Sequence, residues 1–281
     1  MVTKENVLDA IGTLIGTLEN FSDTLKNACE QQEEKKSLRL RDDYTFERFV
    51  IGENNSFAAN AAIAASKNPG EVYNSILIYG GIGMGKTHLI QAIGNYIHEN
   101  SDRRIIHTTA ENFLNEYVQA IQDGKRKAFN NKFRNADVLL MDDIQFFQDK
   151  MGVQEELYHT FNALLDGKKQ LVFTCDRPLS ELKKFSKRLI SRFGQSLTVE
   201  LQLPCYETRH AILKAVAENR KVSIPDEVMV FLSNNISSNV RDLISALNNL
   251  IAYAELTEKQ VTLDIAQQRL KDIFLDTTPK V

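Results

Sequence analysis

The sequence predicts an α/β protein in which a parallel sheet lies between layers of helices and a smaller, all-helical lid follows. Three observations predict this. Ser75 to Gln91 reads as strand, glycine loop and helix; Val138 to Asp143 is an apolar run ending in two acids; and the chain after Leu203-Pro204 keeps helical spacing throughout. Short buried strands alternating with longer helices are the signature of a parallel sheet. The expected organisation is an N-terminal helix and charged linker over 1–43, the αβα domain over 44–203, the helical lid over 204–275, and a linker remnant over 276–281.

Composition bounds the functional class. The 281 residues carry a net charge of −3, so no global basic field attracts nucleic acid and any such contact must come from a local patch. Cys29, Cys175 and Cys205 are scattered and odd in number, which offers neither a disulfide framework nor metal-ligand spacing. The N-terminus lacks a basic region followed by an apolar core, and no run approaches a membrane span. A soluble, cytoplasmic protein is expected.

In chain order, Val7, Leu8, Ile11, Leu14, Ile15, Leu18, Phe21 and Leu25 recur at helical spacing, with Gly12 and Gly16 weakening the helix. Such a helix either docks a partner or a second copy, or packs on its own domain. Glu30 to Asp43 is dense in charge and reads as a solvated linker. Tyr44, Phe46, Phe49, Val50 and Ile51 open the main domain, where they could wall an adenine pocket or simply fill the core. Ser56 to Ser66 is an alanine-rich helix ended by Asn68-Pro69-Gly70.

Ile76 to Tyr79 then forms a short apolar strand, and Gly80-x4-Gly85-Lys86-Thr87 matches the phosphate-loop pattern in full. Backbone must curl around phosphate oxygens with no Cβ in the way, hence the glycines. The N–H groups of Gly81, Ile82, Gly83, Met84 and Gly85 would point inward, and the helix opening at Lys86 adds its positive end. Lys86 would bridge the β- and γ-phosphates of ATP, and the Thr87 hydroxyl would hold Mg²⁺. His88 adjoins the loop, but nothing singles it out as a base; the five histidines show no metal spacing.

Arg104 to Thr108 reads as a second strand and Glu111 to Ile121 as a helix that Asp123-Gly124 breaks. Lys125, Arg126, Lys127, Lys132 and Arg134 form either a DNA-facing stripe or, more commonly for surface charge, a solvated helix face. Val138 to Met141 has the form of a buried parallel strand, with Asp142 and Asp143 at its carboxyl end, the edge where open α/β sheets bind ligands. Asp142 would hold the Mg²⁺ water shell and Asp143 would polarise the attacking water.

Gln154 to Asp166 is another helix, and Gln170 to Pro178 a strand whose Thr174 and Asp176 either position water or merely end it. Leu182 to Phe193 places Arg188 and Arg192 on one helix face, which from the residues alone are ordinary surface arginines. In the lid, Asn239 with Asp242 resembles a capping box, and Val240, Leu243, Ile244, Leu247, Leu250, Ile251 and Ala254 make an apolar stripe. Arg241 sits at that helix start, where the dipole disfavours a cation, so it reads as a nucleotide sensor. Asp264 to Phe274 is the last helix expected.

Gly80 to Leu89, Asp142 to Phe147, Gln154 to Asn162, Arg188 to Phe193 and Ser238 to Arg241, in that order, resemble the AAA+ domain of the bacterial DnaA replication initiators over about residues 44–275. The resemblance implies an ATP/ADP switch that assembles, when ATP-bound, into a helical filament on the origin and opens duplex DNA. It makes Asp142 and Asp143 the Walker B acids and places Asp176 in the sensor I segment. It also makes Arg192 an arginine finger, Arg188 the interface arginine before it, and Arg241 the sensor II arginine. Ile51 and His88 join the nucleotide contacts. Three departures stand out: a short stretch before the domain, no C-terminal helix-turn-helix, and Gly152 where an arginine is often found near Leu114 and Lys150 in the single-strand-binding elements. Alternative readings are a regulatory paralogue of the initiator, a helicase-loader-type ATPase gripping a replicative helicase, or a module whose nucleotide is structural.

Overall fold

A computed structural model of the chain describes residues 38–271. The amphipathic pattern over 7–25, the charged run up to residue 37, the end of the last helix at Phe274 and the 276–281 segment lie outside the described residues. Leu38 to Leu40 belong to one unit and the chain from Arg41 to another, and it is the second that is described below.

Five strands form one parallel sheet: β1 (Ser75–Tyr79), β2 (Ile105–Thr109), β3 (Val138–Asp142), β4 (Gln170–Cys175) and β5 (Leu197–Glu200). Their order is β2-β3-β4-β1-β5. β3 and β4 are buried along their whole length and β1 nearly so, as continuous apolar runs in a sheet covered on both faces should be. The register pairs Tyr79 with Cys175 and Met141 with Phe173. Because all strands run the same way, that register delivers Gly80, Asp143 and Asp176 to one edge of the sheet. The sequence did not announce β5, since four residues alternating in exposure resemble a loop until their pairing with β1 is seen.

The helices are α1 (Ser56–Lys67), α2 (Lys86–Asn100), α3 (Ala110–Gln122), α4 (Arg126–Arg134), α5 (Met151–Asp166) and α6 (Lys187–Gly194). Phe113, Phe133, Phe147, Phe161, Phe173 and Phe193 fill one core between sheet and helices. α6 starts at Lys187 rather than Leu182, because Lys184 lies in the left-handed region (φ 58°) and Ser186 caps the helix by accepting from Leu189 N–H. The segment from Arg41 is not a free linker. Arg41 N–H donates to Gln91 Oε1 (2.9 Å), and Asn95 Nδ2 donates to the carbonyls of Arg41 and Tyr44, so α2 straps it down.

Two of the five residues of the basic stretch meet a buried partner, and the lysines stay on the surface. Arg126 (2.9 Å) and Arg134 (2.5 Å) turn onto the two oxygens of Glu156, which is 0% exposed on α5. Lys132 pairs with Glu116 and Lys125 approaches Asp123. A buried carboxylate needs such partners, and a helical spacing pattern cannot show where they come from.

The lid comprises α7 (Tyr206–Arg220), α8 (Asp226–Asn235), α9 (Val240–Thr257) and α10 (Leu263–Arg269), closed on a core of Leu213, Val228, Leu232, Leu243, Leu247 and Ile251. Asn239 caps α9 by accepting from Asp242 N–H at 2.8 Å, so the cap expected from the sequence is formed. None of the described helices is long and apolar enough to cross a membrane.

Candidate functional site

The glycine loop joins β1 to α2, and its backbone explains its composition. Gly83 (φ 77°) and Gly85 (φ 99°) occupy the left-handed region. A Cβ on Gly83 would also stand 2.6 Å from Asn239 Oδ1 of the lid. The lid in fact touches the loop here, with Arg241 N–H donating to the Gly83 carbonyl at 3.2 Å. Gly83→Ala is therefore expected to lower nucleotide affinity by about tenfold while leaving the melt nearly unchanged, since strain and clash fall on the loop rather than the core. Titration calorimetry beside a thermal melt checks this, and parent affinity would refute it.

Lys86 opens α2 with only 7% of its surface exposed. Its ammonium donates to the carbonyls of Gly80 (2.7 Å) and Gly81 (2.8 Å). Burial pulls its pKa down, and Asp143, Asp142 and Asp176 pull it back up. Next to it the Thr87 hydroxyl donates to Asp142 Oδ2 at 2.8 Å. The other oxygen of Asp142 accepts a short hydrogen bond from the Thr174 hydroxyl, which in turn accepts from Asp143 N–H at 2.8 Å. Asp143 itself is raised in pKa, chiefly by burial, against the pull of a hydrogen bond from Gln145. Asp176, clamped by Arg177 through two hydrogen bonds (2.7 and 2.8 Å), is held below the usual carboxylate range mainly by that clamp.

Beside the loop, the Tyr44–Asn55 segment and the lid enclose a cleft of ≈ 400 Å³ walled by Phe49, Val50, Met84, Ile212, Val240 and Ile244. His88 holds the segment: its Nε2 lies 2.8 Å from the Thr45 carbonyl, its ring stacks on Tyr44 at 4.8 Å, and Phe49 meets it edge-on at 5.2 Å. A carbonyl only accepts, so Nε2 carries a proton here, and burial lowers the ring's pKa. Asn55 fixes the turn by accepting from Gly52 N–H and donating to the Val50 carbonyl. Ile51 is 49% exposed and Ile82 65%, and neither lines the cleft.

The structure brings Gly81 to His88, Asp142, Asp143, Asp176 and Arg241 together, but not Arg188 and Arg192. Arg192 lies beside Ser75 and Leu197, at the start of β1 and β5, and donates to Gln195 at 3.0 Å. The length of β1, about 16 Å, separates that edge from the loop. Arg188 borders a second hollow with Met151, Glu155 and Tyr158. Leu114 packs on the sheet core, Lys150 precedes α5, and Gly152 has open space where a side chain would project. Sequence reasoning missed the part played by Gln145: one polar residue in an apolar turn carries no pattern of its own.

A phosphate loop, paired acids and a helical lid in this order also occur in known proteins. The family model of the bacterial DnaA ATPase domain matches residues 40–200. The chain belongs to the DnaA family. A Treponema denticola protein named chromosomal replication initiator protein DnaA is 55% identical over 85% of this chain and 51% of its own length. The Borreliella burgdorferi (strain ZS7) protein of that name is 44% identical over 92% of this chain and 54% of its own. The chain thus spans about half the length of the curated DnaA relatives it matches. Domain III of the Thermotoga maritima replication initiation protein DnaA has a TM-score of 0.81 at 45% identity, covering 84% of this chain and 98% of that one. A replication initiator DnaA bound to AMPPCP and single-stranded DNA has a TM-score of 0.72 at 34% identity, covering 78% and 69%. The parallel sheet followed by helices is accordingly the AAA+ arrangement of DnaA domain III.

Proposed function

We propose that this chain is the ATP-responsive part of a replication initiator: ATP binding lets it self-assemble into a helical oligomer at the bacterial origin and promote DNA unwinding, and hydrolysis to ADP resets it. The observation that carries this reading is the hydrogen bond from Arg241 N–H to Gly83. It joins lid and phosphate loop, so whatever occupies the loop sets the lid angle.

In this reading the N–H groups of Gly81 to Gly85 and the positive end of α2 cradle the phosphates. Lys86 leaves its two carbonyls for the β- and γ-phosphates, while Phe49, Val50 and Met84 with His88 wall the adenine beside the Ile51 backbone. Thr87 and Asp142 fit Mg²⁺ by donor chemistry: a hydroxyl and a carboxylate, both oxygen, meet beside the loop at 2.8 Å and would hold the ion there. Mg²⁺ would supply charge neutralisation of the phosphates. Asp143 accepts from the attacking water, Thr174 and Asp176 stand at the γ-phosphate end, and Arg241 senses the nucleotide from the lid. Arg192 stands too far from its own loop, so it serves a neighbour's site, with Arg188 at the same interface. Hydrolysis by an isolated chain is therefore slow. Single-stranded origin DNA, a replicative helicase and initiator regulators are the proposed partners, in the cytoplasm.

Arg192→Ala is expected to bind ATP as the parent does and to lose ATP-dependent assembly. Titration calorimetry with ATP tests the first point, and light scattering with ATP and with ADP, each with and without a single-stranded oligonucleotide, tests the second. Large particles only with ATP, absent in the variant, support the reading; unchanged oligomers in the variant refute the finger role.

A further inference from the structure

We propose that Gln145 is a positioning residue for hydrolysis: its amide holds the Asp143 carboxylate in the orientation that engages water and ties that orientation to the end of β4. The inference rests on the reading of Asp143 given above. Gln145 lies in a short 3-10 turn, Ile144–Phe147, whose first and last residues are buried. Asp143 precedes the turn in the left-handed region (φ 63°, ψ 50°), which Asp tolerates better than most residues. That conformation turns the chain back across the strand end, so Gln145 meets Asp143 instead of solvent.

Both ends of the amide are used. Gln145 Nε2 donates to Asp143 Oδ1 at 2.9 Å, and Gln145 Oε1 accepts from Asp176 N–H at 3.3 Å. A backbone N–H can only donate and a carboxylate at this position accepts, so the amide has one consistent orientation. With Oδ1 occupied, the second oxygen of Asp143 is the one left for water. Asp143 N–H is meanwhile held by Thr174 on β4, whose hydroxyl goes to Asp142, so β4 fixes the Asp143 backbone while Gln145 holds its carboxylate. Movement of the Asp176–Arg177 segment reaches that carboxylate through the Gln145 amide.

Two variants separate this role from packing. Gln145→Glu keeps the shape and the acceptor for Asp176 N–H but places a second carboxylate against Asp143; Gln145→Ala removes both bonds. Single-turnover hydrolysis of saturating ATP should fall about tenfold in each, with ATP affinity within about twofold of the parent and the thermal melt of Gln145→Glu unchanged. Adding Gln145→Ala to Asp143→Asn should slow hydrolysis no further than Asp143→Asn alone. A parent rate in Gln145→Glu, affinity loss in step with rate, or additive slowing in the double variant overturns the inference while leaving the Asp143 reading intact. A parent rate in Asp143→Asn, or no turnover in the parent chain, overturns both.

Discussion

Replacing Lys86 with alanine is expected to abolish ATP binding, lowering affinity by about a hundredfold or more. The ammonium is buried in the loop, held by the Gly80 and Gly81 carbonyls, with Asp142, Asp143 and Asp176 nearby. Removing it takes away the charge that offsets the phosphates and leaves those acids to repel them. Hydrogen bonds to charged groups are each worth about 1.5–3 kcal/mol, and Lys86 would serve two phosphates. Titration calorimetry with ATP measures the loss, and a circular dichroism melt separates an emptied site from an unfolded chain. Parent affinity in a folded Lys86→Ala would sink the phosphate-loop assignment.

The second large effect concerns stability. Removing Arg126 and Arg134 together strands the Glu156 carboxylate, which has no exposure to water of its own. The double alanine variant should lose about 3–5 kcal/mol, a fall of about 10 °C in melting temperature. Either single variant should lose much less, because the remaining guanidinium still reaches the carboxylate. A double variant melting within about 2 °C of the parent would show that Glu156 finds other compensation. The pairing follows from α4 lying against α5.

Much of the candidate site was legible before any coordinates. Gly83 and Gly85 announce left-handed backbone, Lys86-Thr87 announces charge and hydroxyl at a helix start, and the run into Asp142-Asp143 announces a strand ending at a ligand edge. Asn239 announced its own cap. Each is chemistry between residues a few positions apart, where spacing and type suffice.

What remained hidden involves partners distant in the chain. Leu197–Glu200 is a strand because β1 accepts it, Arg126 and Arg134 turn inward because Glu156 is buried across from them, and Gln145 faces Asp143 because one residue turns left-handed. Arg192 and the loop stand at opposite ends of β1, which the spacing of residues along the chain does not show. Phosphate-loop chemistry, strand and helix periods and caps are set within one or two turns of backbone, so the sequence carries them openly. Sheet order, the pairing of buried charges and the aim of a side chain depend on which segments meet, and only the folded chain decides that.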